Sequence, residues 1–242
     1  MTPPSGMPPK IIGAIRRAWL AAAWDPRLVQ EEVCSLRDQG VDIVDIGCTM
    51  HSPRKRKAIL SRLPALLSAL KPCRDAFFAA QVLNVPMAHQ AILSGVRLIM
   101  DVGGFADPVM RRLAAESEVE VHLRHSAHGA GEDIVSEVGD WLDKQSQLLI
   151  HDGVEAARII IDPGIGVGKT TREDLRLLGH LATFRSFGSR LLVDGSCSSF
   201  FTKGVDSGLN LFLALSGVDI VRVRDAVAYR RTINLLSEIA KA

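Results

Sequence analysis

Ile159–Thr170, IIIDPGIGVGKT, is the stretch that orders the rest of the chain. Ile159 to Asp162 reads as a buried strand ending in a carboxylate. A proline and a glycine-rich turn follow, then Lys169 and two threonines that can open a helix. A carboxylate at the end of a buried strand is costly unless something binds it. The plainer alternative is that Asp162 caps its own turn through local hydrogen bonds.

Two common glycine-rich motifs nearly fit and fail. A phosphate-cradling P-loop needs a glycine five residues before Gly168-Lys169-Thr170, and Pro163 stands there. The dinucleotide fingerprint needs a third glycine where Lys169 stands.

Composition bounds the rest. The 242 residues are 47% hydrophobic, which suits one core. Lys plus Arg number 29 against 27 acids, a net charge of +2, which argues against a dedicated nucleic-acid binder. Cys34, Cys48, Cys73 and Cys197 are scattered without C-x-x-C spacing, so neither a zinc site nor a disulfide framework is expected. No apolar run approaches a membrane span, and the proline-rich start does not read as a signal peptide. These features predict a cytoplasmic protein.

The chain alternates. Residues 1–9 carry four prolines and read as a loose tail before one domain, 10–242. Strands are predicted at Lys10–Ile15, Val41–Ile46, Ala76–Val82, Val96–Val102, Val119–Leu123, Ile159–Asp162, Arg190–Asp194 and Ile220–Val223. Helices are predicted at Pro26–Gln39, Arg54–Leu70, Pro86–Ser94, Asp107–Glu116, Asp133–Asp152, Thr171–Leu181, Leu209–Ser216 and Val227–Ala240. The strands are short and apolar, as strands buried on both faces should be. Eight such units in this length predict a (β/α)8 TIM barrel, with a doubly wound open sheet as the alternative. A barrel gathers its site where the strands end. Here those ends carry Arg16, Gly47, Gln81, Asp101, His125, Asp162, Ser196 and the pair Arg222/Arg224.

The Asp162–Thr170 turn resembles the DPG-x-G-x-GK turn of dihydropteroate synthases and related pterin-binding barrels. Further pieces resemble the same family. Val41–Gly47 is similar to its second strand, and Asp101–Gly104 to its Asn-Asp-Val-Ser-Gly stretch. Leu192–Phe200, LVDGSCSSF, sits where the family has Ser-Arg-Lys-Ser-Phe, and Ile220–Asp225 where it has Val-Arg-Val-His-Asp. The resemblance implies that Asp162 receives the amino and ring N–H groups of a pterin. An acceptor-only carboxylate matches that paired donor edge.

Departures are as informative. The family's magnesium-holding asparagine loop is shortened here to Arg16-Arg17-Ala18-Trp19, so magnesium is implied by the resemblance while its usual ligand is absent. The Ser-Thr-Arg-Pro-Gly loop becomes Met50-His51-Ser52-Pro53. Gln81, Met100, Ser198 and Arg224 stand where the family has aspartate, asparagine, lysine and histidine. Asp162, Ser196, Ser199 and Arg222 match directly. Each lost charged partner of a ligand costs about 2–5 kcal/mol, so such a site must be rewired or inactive.

Arginine grips phosphate in a bidentate fork without a metal. Arg16, Arg222 and Arg224, with Arg54 and Arg56, are therefore expected to form a cationic ring for a pyrophosphate. The alternative is that Arg54–Lys57 is a solvated basic turn. His122, His125 and His128 form an H-x-x-H-x-x-H run, for which a pterin-side contact from His125 is preferred over metal binding. Cys197 lacks a base in sequence, and Ser196 and Ser199 lack the G-x-S-x-G elbow.

The resemblance implies a transferase joining a pterin-methyl pyrophosphate to an arylamine such as p-aminobenzoate. Asp162, Arg222 and Arg224 would be catalytic. Arg16, Asp101, His125, Gly166, Lys169, Ser196 and Ser199 would bind substrate, with Lys169 either touching ligand or bracing the turn. A homodimer is implied too. The competing readings are a non-catalytic pterin-binding or partner-subunit relative, and a pterin-dependent methyltransferase.

Overall fold

The structure is a computed structural model and describes residues 8–15, 25–46, 63–73, 75–126, 133–185, 189–196 and 206–241. Eight parallel strands close on themselves in chain order. They are β1 (Lys10–Ala14), β2 (Ile43–Asp45), β3 (Phe77–Val82), β4 (Leu98–Asp101), β5 (Glu120–Arg124), β6 (Ile159–Asp162), β7 (Arg190–Asp194) and β8 (Ile220–Arg222). β8 pairs with β1 through Ile11↔Val221 and Ile12↔Arg222, which rules out the open-sheet alternative. The fold is the (β/α)8 barrel expected from the alternation.

Helices begin where the sequence supplies caps. Asp25, Asn84, Asp107 and Asp133 each accept a backbone N–H of the helix they precede, and Thr170 with Glu173 forms a capping box. Such a cap contributes typically about 1 kcal/mol. Most expected helices start or stop within a few residues of the observed bounds. The one expected over Thr171–Leu181 instead ends at Gly179, and a short helix, Leu181–Arg185, follows. Only residues 63–73 of the helix expected over Arg54–Leu70 and its exit are described, and 63–69 are helical.

The barrel interior sets the phase of every strand. Ile12, Ile43, Ala79, Leu98, Ile160, Leu192 and Ile220 form an apolar middle layer with Met100. Alternate residues such as Ile11, Val44, Ile99, Val121, Ile161 and Val193 face the helices. Burying one such side chain contributes about 1.5–3 kcal/mol. Slipping a strand by one residue would turn these side chains outward, so the register is strongly fixed. Two residues further along each strand, the same interior face presents Ala14, Asp45, Gln81, Met100, Arg124, Asp162, Asp194 and Arg222 at the carboxyl-end mouth. The opposite end is closed by Phe77, flanked by Lys10 and Arg97, and by the Arg190–Glu120 ion pair at 2.9 Å. No helix of the described residues is long and apolar enough to cross a membrane.

Candidate functional site

Asp162 is fully buried at the end of β6. Its Oδ1 accepts the Gly164 N–H at 2.7 Å, so the plain capping expectation holds for one oxygen. Its Oδ2 lies 2.9 Å from His122 Nε2. His122 is buried on the interior face of β5, paired in register with Ile160. Burial alone pushes the Asp162 carboxyl up. The His122 hydrogen bond and charge, the Arg124 charge and the Gly164 N–H outweigh burial and hold it below the usual carboxylate range. The mouth therefore keeps a buried carboxylate whose remaining lone pairs can accept a donor edge.

The turn after Asp162 is built around a cation. Gly164, Gly166 and Gly168 all have positive φ, at 71°, 76° and 68°. That conformation lets the Gly164 and Val167 carbonyls turn toward Lys169. Lys169 Nζ donates to Gly164 O, Val167 O and His125 O at 3.1, 3.2 and 3.3 Å. Burial pushes this ammonium down, while Asp162, Asp174 and Glu173 pull it back up. The Gly166 N–H donates to Asp174 Oδ1 at 2.8 Å. Gly166 and Lys169 were expected to bind substrate. Their donors are instead committed to the turn, so Lys169 takes its bracing role.

Across the mouth, Arg222 reaches from β8 to Asp45 on β2 and Asp194 on β7. Nη1 donates to Asp45 Oδ2 at 2.7 Å, and Nε lies 3.4 Å from Asp194 Oδ2. Nη2 is 3.5 Å from Met100 Sδ. Asp194 Oδ1 in turn accepts the Ser196 N–H and hydroxyl at 2.9 and 2.6 Å. Arg224 is exposed beyond the strand end and donates from Nε to Ser196 O at 3.4 Å. Of the expected cationic ring, Arg222 and Arg224 are the described members. Arg222 lies between two carboxylates, so its charge is offset within the protein. Arg224 stands on the rim. Arg16, Arg54, Arg56 and Ser199 lie outside the described residues, as do Gly47, His128 and Cys197.

Two further expectations shift for one reason, the two-residue period of a strand. Asp101 was expected to face substrate, but Met100 holds the interior position of β4. Asp101 accepts the Gly103 and Phe105 N–H groups at 3.1 and 2.7 Å and so shapes its own loop. Burial pushes its carboxyl up, against those two bonds. His125 follows β5 on the helix side, where its ring meets Trp141 edge-on at 5.1 Å. Burial and the Lys169 charge push His125 down to about 4, so it is neutral at physiological pH. His122, three residues earlier and on the interior face, is the histidine that lies beside Asp162.

Asp45, Arg124 and Asp194 are mouth residues that the sequence reading passes over, and His122 is weighed there only as part of the histidine run. Counting by two from Ile43 and Leu192 finds Asp45 and Asp194, whereas β5 has no apolar interior residue to count from, and only its register against β6 places His122 and Arg124. A hollow of about 390 Å³, lined in part by Phe77, Arg97, Val119 and Glu120, opens at the opposite end of the barrel, remote from this chemistry. Among the described residues no group of three or more His, Cys, Asp or Glu side chains is placed to hold a metal ion.

A profile of the family described as "pterin binding enzyme" matches residues 25–227. A probable bifunctional folylpolyglutamate synthase/dihydropteroate synthase of Haloferax volcanii is 30% identical over 216 residues, covering 81% of this chain. This chain spans only 26% of that relative. A dihydropteroate synthase of Synechocystis is 29% identical, covering 78% of this chain and 74% of the relative. Among solved structures, dihydropteroate synthase from Anaplasma phagocytophilum with bound 6-hydroxymethylpterin-monophosphate superposes with a TM-score of 0.82 at 25% identity. That match covers 96% of this chain and 100% of the other.

Proposed function

Since the chain belongs to the pterin-binding enzyme family, we propose that it is a dihydropteroate synthase-type transferase. Its substrates would be a pterin-methyl pyrophosphate and an arylamine such as p-aminobenzoate. The observation that carries this reading is Asp162, a fully buried carboxylate held ionised at the mouth by His122 and Gly164. It supplies the acceptor that a pterin's amino and ring N–H groups require.

In this reaction the bond from the pterin methylene to the pyrophosphate oxygen breaks, and a bond from the methylene to the amine nitrogen forms. The amine loses one proton. The protein's contribution is to hold the ring on Asp162 so that the methylene faces the incoming amine. Arg224, on the rim, and Arg16 are proposed to meet the departing anion, and Ser199 the arylamine carboxylate. We carry the homodimer and the cytoplasmic location as part of the same proposal.

One observation favours a second reading. Arg222 pairs with Asp45 and Asp194. A cation so compensated stabilises a leaving anion poorly, which suits a pterin-binding relative that has lost the chemistry. Calorimetry with 6-hydroxymethyl-7,8-dihydropterin pyrophosphate separates the readings, using the wild type and Asp162→Asn. Binding lost in the variant, followed by turnover with p-aminobenzoate, supports the transferase. Binding without turnover supports the second reading. Equal affinity in both proteins, or none in either, sinks the pterin site itself.

A further inference from the structure

Helix Pro26–Asp38 lies along the segment that leads into β3, and two contacts fix how the two face each other. Gln30 Nε2 donates to Ala69 O at 3.1 Å. Arg37 Nη2 pairs with Asp75 Oδ2 at 2.7 Å. Residues 30, 34 and 37 share one helix face, being four and three apart. Cys34 therefore lies over the stretch between Ala69 and Asp75, and Cys73 sits within that stretch. Cys34 is exposed and Cys73 buried. The Cys73 thiol is pushed up first by burial and next by the charge of Cys34.

We propose that Cys34 and Cys73 are a disulfide-forming pair, a modification site on the flank of the barrel that responds to peroxides. Cys34, the exposed thiol, reacts first. Its thiolate attacks a peroxide oxygen, an S–O bond forms, the O–O bond breaks, and hydroxide leaves to become water. The Cys73 sulfur then attacks the Cys34 sulfur. The S–S bond forms, the S–O bond breaks, and the departing hydroxide takes the Cys73 proton as a second water. Two thiols and one hydrogen peroxide thus give one disulfide and two waters. The pair precedes β3, whereas the mouth residues end their strands, so the cross-link leaves Asp162 and its neighbours untouched. It closes a loop that runs from the helix through β2 and the segment after it. By constraining the unfolded chain it should raise Tm by on the order of 5 °C or more.

The test uses the full chain treated with hydrogen peroxide. Thiols titrated after denaturation should fall from the four of the sequence to two. Trypsin should release peptide Leu28–Arg37 linked to Leu63–Arg74, because the Lys71–Pro72 bond resists cleavage. Cys34→Ser, at an exposed site, should keep its remaining thiols and show no rise in Tm. Four surviving thiols would overturn the pair. So would a linked peptide carrying Cys48 or Cys197, or Cys34 oxidised to its acids with Cys73 still reduced.

Discussion

Arg222 Nη1 lies 2.7 Å from Asp45 Oδ2, a contact across 177 residues of chain that ties the last strand of the barrel to the second. The two side chains are 11% and 1% exposed. Arg222→Ala would leave Asp45 and Asp194 without this cation in a buried setting. Breaking one side of a buried pair costs about 3–5 kcal/mol. Urea unfolding should report a loss of that size for the single variant. Removing both charges with Arg222→Met and Asp45→Asn should recover part of it. A single-variant loss under about 1 kcal/mol would mean the pair behaves as a solvated surface bridge.

Under the proposed function, His122 acts on the pterin through Asp162, as a positioning residue. His122→Leu deletes a hydrogen bond to a charged group, worth about 1.5–3 kcal/mol. Affinity for the pterin pyrophosphate should fall by roughly 10- to 150-fold. The pH profile should move as well. Burial raises the Asp162 carboxyl and His122 opposes that rise, so the variant should lose binding at a higher pH than the wild type as acid is added. His122→Asn, which keeps a donor, should restore part of both. An unchanged profile would show that Asp162 does not depend on His122.

His125 makes the fold itself sensitive to acid. Its folded value of about 4 lies below the ordinary 6.5 because burial disfavours the charged ring. Between those values the unfolded chain binds a proton that the folded chain refuses, so stability falls as pH drops. The full contribution is present above about 6.5 and is lost by about 4, at most about 3 kcal/mol. Urea unfolding at pH 7 and pH 5, compared with His125→Met, checks this. Parallel losses in both proteins would assign the acid sensitivity elsewhere.

Two glycines should respond oppositely to the same change. At Gly164, with φ +71°, a Cβ would run into the His125 carbonyl oxygen. Gly164→Ala should therefore cost at least about 3 kcal/mol through strain and clash. Gly179 ends a helix with nothing within 4 Å of an added Cβ. Gly179→Ala should be neutral or stabilising by up to about 1 kcal/mol. Thermal melts of the pair decide it.

The barrel was legible because its signals are local. Short apolar strands, capped helices and glycine-closed turns each follow from neighbouring residues. That Asp162 needs a partner was legible too, since a carboxylate after three isoleucines is costly to bury alone. The identity of that partner was not. His122 lies 40 residues from Asp162, and only the register of β5 against β6 brings them together. Asp42 and Asp45 stand in one short strand sequence, VDIVDI. Asp42 accepts the Ile11 N–H and Arg230 at the outer edge, whereas Asp45 meets Arg222 inside. Which aspartate points inward is settled by the closure of the barrel, a property of all eight strands together. The same holds for Met100 against Asp101 and His122 against His125.

Lys169 ends its tether among three carbonyl oxygens, as a potassium or ammonium ion sits among its ligands. The loop that presents Asp162 is thus a small ionophore whose ion is covalently attached. Its shape answers to cation chemistry more than to packing. A chain with Lys169 shortened to alanine should soften at this loop in sodium or choline buffers. Ammonium or potassium salts, by filling the vacated cradle, should firm it again, so that the identity of a monovalent salt becomes a control over the posture of one buried carboxylate.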